Sequence, residues 1–197
     1  MQSSFVKGLK NWAYGRVYFI LPMHLNFEFK ARTNDLSLLE TRLQSLDPRF
    51  QGTDEQTDTY FHVPHGRLKL REGPIENALI HYNRMNSAGA KRSDVILYQH
   101  SRDGQLKEAL IASLGVKVVV SKTRRIYFIG NVKFHFDEVS GLGSFIEVEA
   151  IDLSGDIGID RLKEQCHYYA AFFGVREEDY IPDSYSDLLL HKGKEND

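Results

Sequence analysis

Charged side chains recur at alternate positions along several segments of this chain, and alternate positions share one face of an extended strand. Arg67, Lys69 and Arg71 share a face, with Leu68 and Leu70 opposite. Lys122 and Arg124 share another. Lys133, His135 and Asp137 stand against Val132, Phe134 and Phe136, while Glu147 and Glu149 stand against Ile146, Val148 and Ala150. Arg84 extends the face of Ile80 and Tyr82. A charged strand face is ordinarily a solvated one, and opposite-sign pairs on it contribute only about 0.2–1 kcal/mol each. Two features go beyond that reading. Three cations at alternate positions repel one another unless an anion sits among them, and Glu147 and Glu149 repel unless a cation joins them. Turned inward on a closed sheet, such faces would line a tunnel with cations and carboxylates. The matched guest is a polyphosphate carrying a divalent metal, because carboxylate oxygens suit Mg²⁺ or Mn²⁺ and Arg and Lys suit phosphate oxygens.

Other chemistries find less support. Cys166 is the only cysteine, so neither an intramolecular disulfide nor a cysteine zinc site can form, and its place in the helical run Glu164-Gln165-Cys166-His167 reads as a buried or idle thiol. There is no glycine-rich phosphate loop ending in Lys-Ser/Thr, and Gly141-Leu142-Gly143 reads as a turn. The eight histidines have no metal-type spacing, and His62 and His65, flanking a turn, read as surface residues. Tyr60-Phe61 and Tyr168-Tyr169 read as packing rather than as a platform for bases. With 197 residues, 42% of them hydrophobic, the chain can bury one domain's core. Its 25 Lys and Arg against 27 Asp and Glu argue against partners held by bulk positive charge, namely nucleic acid or anionic lipid. No apolar run approaches the roughly 20 residues that span a bilayer. Val17–Leu21, closed by Pro22, is too short for a signal peptide. The first 27 residues lack Asp and Glu and carry Lys7, Lys10 and Arg16. The expectation is an N-terminal extension over 1–22, a globular domain over 23–190, a short tail over 191–197, and a reducing, cytoplasmic home.

The elements that must position these side chains follow from periodicity. Alternation over His24–Arg32, with Asn26, Glu28, Lys30 and Arg32 on one side and Leu25, Phe27, Phe29 and Ala31 on the other, predicts a strand. Thr33 or Asn34 is expected to cap a helix over Asp35–Leu46, whose stripe is Leu36, Leu39, Leu43 and Leu46. Strands are predicted at Gln56–Val63, Arg67–Arg71, Ala78–Arg84 and Val95–Gln99, then a helix over Gly104–Leu114 stopped by Gly115. Val116–Ile129 and Val132–Glu138 form a predicted hairpin turning at Gly130-Asn131, followed by a strand over Phe145–Ile151 and a helix over Ile159–Phe173. The apolar Leu188-Leu189-Leu190 of the tail is expected to dock on the body. About eight strands and three helices joined by short turns predict an antiparallel α+β domain or barrel.

The ordered set of motifs resembles the CYTH family, the triphosphate tunnel metalloenzymes. Asn26-Phe27-Glu28-Phe29-Lys30 is similar to its opening Glu-x-Glu-x-Lys signature. Gln56-Thr57-Asp58-Thr59-Tyr60-Phe61, Gly66-Arg67-Leu68-Lys69-Leu70-Arg71, Ala78–Arg84, Val120-Ser121-Lys122-Thr123-Arg124 and Phe136–Glu149 follow in order, over roughly residues 24–175. Within the family the chain most resembles class IV adenylate cyclases. The resemblance implies an eight-stranded antiparallel β-barrel with helices outside and a triphosphate bound in the tunnel with Mg²⁺ or Mn²⁺. It also makes a homodimer plausible. It implies Glu28, Glu147 and Glu149 as metal ligands, with Asp137 as an added ligand or an orienting group. It implies Lys30, Arg67, Lys69, Arg71, Arg84, Lys122 and Arg124 as the triphosphate cradle, Lys30 and Lys122 also being the catalytic candidates. His135 shares the face of Asp137, and Lys133 could equally screen charge at the tunnel mouth.

The chain departs from the signature at Asn26, which offers a carbonyl oxygen where the family usually has its first Glu. Phosphoryl transfer depends mainly on positioning and charge neutralisation. In a cyclase the ribose 3′-hydroxyl of ATP attacks the α-phosphorus and pyrophosphate leaves toward Arg67, Lys69, Arg71, Arg84 and Lys122. In a triphosphatase, acting on tripolyphosphate, a nucleotide or thiamine triphosphate, water attacks the terminal phosphorus. A third reading, favoured by Asn26, is a non-catalytic polyphosphate or nucleotide binder. Nothing in the sequence identifies a base-reading residue.

Overall fold

The structure, a computed structural model, describes residues 24–83, 89–101 and 104–195. In chain order it has β1 (His24–Arg32), α1 (Leu36–Gln44), β2 (Arg49–Phe61), β3 (Arg67–Glu72), β4 (Ala78–Asn83), β5 (Lys91–Gln99), α2 (Gly104–Leu114), β6 (Val116–Ile129), β7 (Val132–Val139), β8 (Gly143–Asp152), α3 (Ile159–Phe173), a 3₁₀ turn (Glu177–Asp179) and α4 (Tyr185–Glu195). The strands close into an antiparallel barrel in the order β1-β5-β4-β3-β2-β6-β7-β8, with β8 returning to β1. The eight-stranded barrel with helices outside is therefore the fold of this chain.

Alternation does two jobs at once. On β1, Phe27, Phe29 and Ala31 point outward into the main apolar core, while Asn26, Glu28 and Lys30 point into the barrel. On β7 and β8, Phe134, Phe136, Ile146 and Val148 are outward and fully buried. α1 supplies Leu36, Leu39 and Leu43 to that core, and α3 supplies Leu162, Cys166, Tyr169, Ala170 and Phe173. Leu162, Cys166, Tyr169, Ala170 and Phe173 recur at helical spacing, so one stripe lies along the barrel. α2 buries none of its residues. Among the described residues, no helix is long and apolar enough to cross a membrane.

Boundaries differ from expectation where polar strands escape a hydrophobic signal. β2 begins at Arg49 rather than Gln56, because its exposed first residues pair with the far end of β6, Arg49 opposite Phe128. β5 begins at Lys91 rather than Val95; Lys91 and Ser93 are buried on its inner face. The cap of α1 is Asp35, whose carboxylate accepts from the Leu38 amide at 2.9 Å, not Thr33 or Asn34. The tail does dock, as a fourth helix: Leu188 and Leu189 pack on the cluster of Val139, Phe145 and Tyr185, and the helix continues to Glu195.

Phe134 is fully buried between the barrel and α3, with its ring 4.7 Å from Tyr169 and 6.2 Å from Phe173. Phe134→Ala should lower the unfolding free energy by about 3–5 kcal/mol in a denaturant titration, the cost of a cavity between two rigid layers. A loss under about 1 kcal/mol would mean that α3 does not hold the barrel wall.

Candidate active site

Inward positions of the strands surround a cavity of about 390 Å³. Of the side chains singled out from sequence, Glu28, Lys30, Lys69, Arg71, Arg124, Glu147 and Glu149 line it, and so do Asn26 and Lys133. Lys122 and Asp137 are buried but lie behind that lining, not on it. Arg67 is not on the lining either; its guanidinium pairs with Asp187 at 2.7 Å. Arg84 lies outside the described residues.

Strand register brings the acids together. Glu28 sits opposite Glu149 and Lys30 opposite Glu147 across β1 and β8, while Lys133 sits opposite Glu149 and His135 opposite Glu147 across β7 and β8. Glu147 receives Lys30 Nζ at 3.1 Å and Arg124 Nη2 at 2.9 Å. His135 Nδ1 stands 3.1 Å from Glu147 Oε2 and 3.8 Å from Glu149 Oε1. Burial would raise the Glu147 pKa, but Lys30, His135 and Arg124 outweigh it and hold the carboxyl well below its usual range. Glu149 behaves oppositely: burial, then Glu147, and also Glu28, push it up to about 7. Burial drives His135 down to about 3, with Arg124 and Lys133 adding to the effect, so the imidazole is neutral.

A second node answers two of the three cations on the β3 face, Lys69 and Arg71. Asp58, fully enclosed, accepts Arg71 through Nε at 2.8 Å and Nη2 at 3.0 Å, Lys69 at 3.1 Å and Lys122 at 2.8 Å. Burial would raise its pKa, yet Arg71, Lys122 and Lys69 together hold it well below the carboxylate range. Lys122 is lowered to about 7, by burial first and by Arg71 and Arg124 next, against the pull of Asp58. Asp137 plays the converse part for Arg124, accepting Nε at 2.6 Å and Nη2 at 2.5 Å, and it also accepts the Tyr185 hydroxyl at 2.7 Å. Both Asp137 oxygens are thus engaged, which makes it an orienter of Arg124 in this arrangement. At the start of α4, the Tyr185 ring lies 4.0 Å from Lys30 Nζ.

Asp58, Glu76 and Tyr185 were not singled out as site residues in the sequence. Asp58 was visible within the Gln-x-Asp-Thr-Tyr-Phe motif but carried no role. Glu76 had no signal at all, since it lies in the β3–β4 turn. Its carboxylate bridges Arg71 Nη1 at 2.9 Å and Lys133 Nζ, and Gln56 Nε2 donates to it at 2.9 Å. Asp54 shapes that turn by accepting the amides of Ile75 and Glu76, and a Cβ at Gly73 would stand 2.6 Å from its carboxylate oxygens. Cys166 takes no part in the site: its thiol donates to the Phe27 carbonyl and burial pushes it up to about 12.

Residues 24–185 match the CYTH domain family, a span that contains all eight strands and the whole of this cavity lining. The chain belongs to the CYTH family. Adenylate cyclase CyaB of Aeromonas hydrophila is 26% identical over 170 residues, covering 82% of this CYTH protein and 86% of that one. The PH1012 protein of Pyrococcus horikoshii OT3 shares the fold with a TM-score of 0.71 at 24% identity, over 83% of this chain and 98% of the other. HpAC1 from Hippeastrum, named for adenylyl cyclase and reported to have a dominant triphosphatase activity, aligns with a TM-score of 0.56 at 13% identity, over 87% and 96% of the two chains.

Three side chains of this CYTH domain are close enough together to hold a cation: one ring nitrogen of His135 and one carboxylate oxygen each of Glu147 and Glu149 lie within 4.8 Å of one another. The donor set fits a hard divalent ion, since Glu149 is short of positive charge and Asn26 Oδ1, buried on the inner face of β1, has no hydrogen-bond partner. The strain on Glu149 is measurable without metal. Its folded pKa lies above its unfolded value, so its stability contribution is complete below about pH 4.3 and is lost as pH rises through about 7. Glu149→Gln should therefore raise the unfolding free energy by about 1–3 kcal/mol at pH 8 in chelator, with the gain vanishing near pH 4. No gain at pH 8 would refute the crowding of carboxylates at this position.

Proposed function

We propose that this protein is a divalent-metal-dependent enzyme acting on a triphosphate group. One observation carries the reading: the cations Lys30, Lys69, Arg71 and Arg124 and the carboxylates Glu28, Glu147 and Glu149 line one cavity, and burial with the neighbouring carboxylates pushes Glu149 up to about 7. Lys30, Lys69, Arg71 and Arg124 would hold phosphate oxygens, with Lys122 reinforcing the cradle from behind Asp58. Glu28, Glu147 and Glu149 would hold Mg²⁺ or Mn²⁺, with His135 neutral and within reach and Asp137 orienting Arg124. When bound, the metal would neutralise phosphate charge and lower the pKa of the attacking oxygen.

The cations of this chain then take up the charge that develops on the leaving phosphates. Arg71 is suited to this because Asp58 and Glu76 fix its guanidinium from two sides, so no reorganisation is needed as charge grows. Burial of Lys30, Arg71 and Arg124 keeps their interactions largely out of bulk water, where they would be screened. In the favoured reading the attacking group is the ribose 3′-hydroxyl of ATP and the products are cyclic AMP and pyrophosphate, in keeping with the name of the Aeromonas relative. The same cradle, shifted along the triphosphate, would serve water attack on the terminal phosphorus, the activity reported for HpAC1.

Phosphorus NMR with Mn²⁺ or Mg²⁺ and both ATP and tripolyphosphate separates these outcomes. Pyrophosphate rising with a cyclic phosphate resonance is expected. Orthophosphate would assign a triphosphatase, and resonances that shift without turnover would assign a binder. Resonances unchanged in position, width and intensity would refute the triphosphate site. Glu147→Gln should abolish metal-dependent turnover while circular dichroism stays native, and surviving activity would remove Glu147 from the metal site. Arg71→Ala should reduce kcat/KM by a factor corresponding to about 2–4 kcal/mol of transition-state stabilisation.

A further inference from the structure

The side chains around Glu147 form a closed circuit of contacts. Lys30 Nζ meets Glu147 Oε1 at 3.1 Å, and Arg124 Nη2 meets Oε2 at 2.9 Å. Arg124 also donates to Asp137, through Nε at 2.6 Å and Nη2 at 2.5 Å, and Asp137 accepts the Tyr185 hydroxyl at 2.7 Å. The ring of the same tyrosine lies 4.0 Å from Lys30 Nζ, which brings the circuit back to its start. Four of the members stand on β1, β6, β7 and β8, and Tyr185 comes from α4 instead. Contacts on either side of it tie that end of α4 to the barrel: Lys91 Nζ donates to the Pro182 carbonyl at 2.6 Å, and Arg67 pairs with Asp187 at 2.7 Å. Tyr185 is 4% exposed, and its ring centre lies 4.9 Å from that of Phe145. Packing on Phe145 accounts for an aromatic ring at this position. It accounts neither for the hydroxyl nor for the ammonium over the ring.

We infer that Tyr185 is a positioning residue for the phosphate-holding cations: its ring holds the Lys30 ammonium and its hydroxyl, through Asp137, holds the Arg124 guanidinium, so that docking of α4 sets both together. The inference rests on the triphosphate reading above, and it gives Tyr185 no contact with reacting atoms. A lysine ammonium on a flexible four-carbon stem has many rotamers, and every side chain that must be ordered when a ligand arrives weakens binding. Lys30 is confined beforehand between the Glu147 carboxylate and the negative face of a buried ring, where withdrawal from water strengthens the cation–π attraction. The Tyr185 hydroxyl gives the fully enclosed Asp137 carboxylate a donor beyond Arg124, which fixes its rotation and so the fork of Arg124 that it receives. Both cations also share Glu147, one on each oxygen, so a single tyrosine from outside the sheet steadies the two sides of that carboxylate.

The test uses the full chain, two variants of Tyr185, and Leu189→Ala as a control that loosens the packing of α4 without touching the circuit. Tyr185→Phe keeps the ring and removes only the hydroxyl. Tyr185→Leu removes both contacts and keeps an apolar side chain against Phe145. One readout is the carbon–proton NMR signal of the Lys30 ε-methylene, assigned with Lys30→Arg; the other is calorimetric titration with tripolyphosphate in the presence of Mg²⁺. Without ligand, the ring current should displace the Lys30 signal upfield in the wild type, in Tyr185→Phe and in Leu189→Ala. In Tyr185→Leu it should return to the ordinary lysine position. Tripolyphosphate affinity should fall about threefold in Tyr185→Phe, about tenfold in Tyr185→Leu and less than about twofold in Leu189→Ala. In a wild type that binds tripolyphosphate, an undisplaced Lys30 signal, or an affinity unchanged in Tyr185→Leu, would overturn the role and leave the triphosphate reading standing. A loss in Leu189→Ala as large as in Tyr185→Leu would reduce Tyr185 to packing and overturn the role likewise. Failure of the wild type to bind tripolyphosphate would overturn the triphosphate reading and the role with it.

Discussion

The interior of this barrel depends on neutralising charge that is largely withdrawn from water, with Asp58, Arg124 and Asp137 buried to 2% exposure or less. An ion buried without a partner costs several kcal/mol, so a closed sheet can carry ionic side chains inside only if each is answered by another. Asp58 answers three cations, and Arg124 answers two carboxylates. Glu76 extends the first node from Arg71 to Lys133, and Glu147 extends the second from Arg124 to Lys30, so the interior is built of shared partners and not of separate pairs. Such a network rarely adds net stability over an apolar core, but it holds its members in one geometry. The consequence is that the guanidinium groups of Arg71 and Arg124 are held in fixed orientations.

Stability has to come from elsewhere, and the alternation of the same strands supplies it. The outward side chains of β1, β7 and β8 make the apolar layer against α1 and α3, while the alternate, inward side chains of the same strands line the cavity. The remaining arc, β3 to β5, receives its cover differently: α4 packs near one end and brings Tyr185 to both Lys30 and Asp137. The C-terminal helix is thus part of the site as well as of the fold.

The interior also has a polarity running around it. From β6 through β7 and β8 to β1 it is ionic; the part formed by Ile80, Tyr82, Val95 and Leu97 on β4 and β5 is apolar, flanked on β5 by Ser93 and Gln99. This polarity gives the imbalance at Glu149 a direction, since that side chain lies on the ionic arc, where Glu28 and Glu147 crowd it and a divalent ion would relieve it.

Much of this was legible in the chain itself. The period-two alternation of β1, β3, β6, β7 and β8 specified both the strands and which residues would share an inner face, because a pleated backbone leaves no other choice. The repulsion built into Arg67-Lys69-Arg71 announced that a buried anion must sit among at least some of them. The sequence could not say which anion, since Asp58 reaches Lys122 only through the pairing of strands 64 positions apart. Nor could it show that Arg67 would turn to Asp187, that Asp137 would be occupied by Arg124 and Tyr185, or that Glu76 would enter from a turn. Local alternation determines the face on which a side chain lies, because that depends only on neighbouring peptide units. The partner it meets there depends on barrel closure and register, which only the tertiary structure decides.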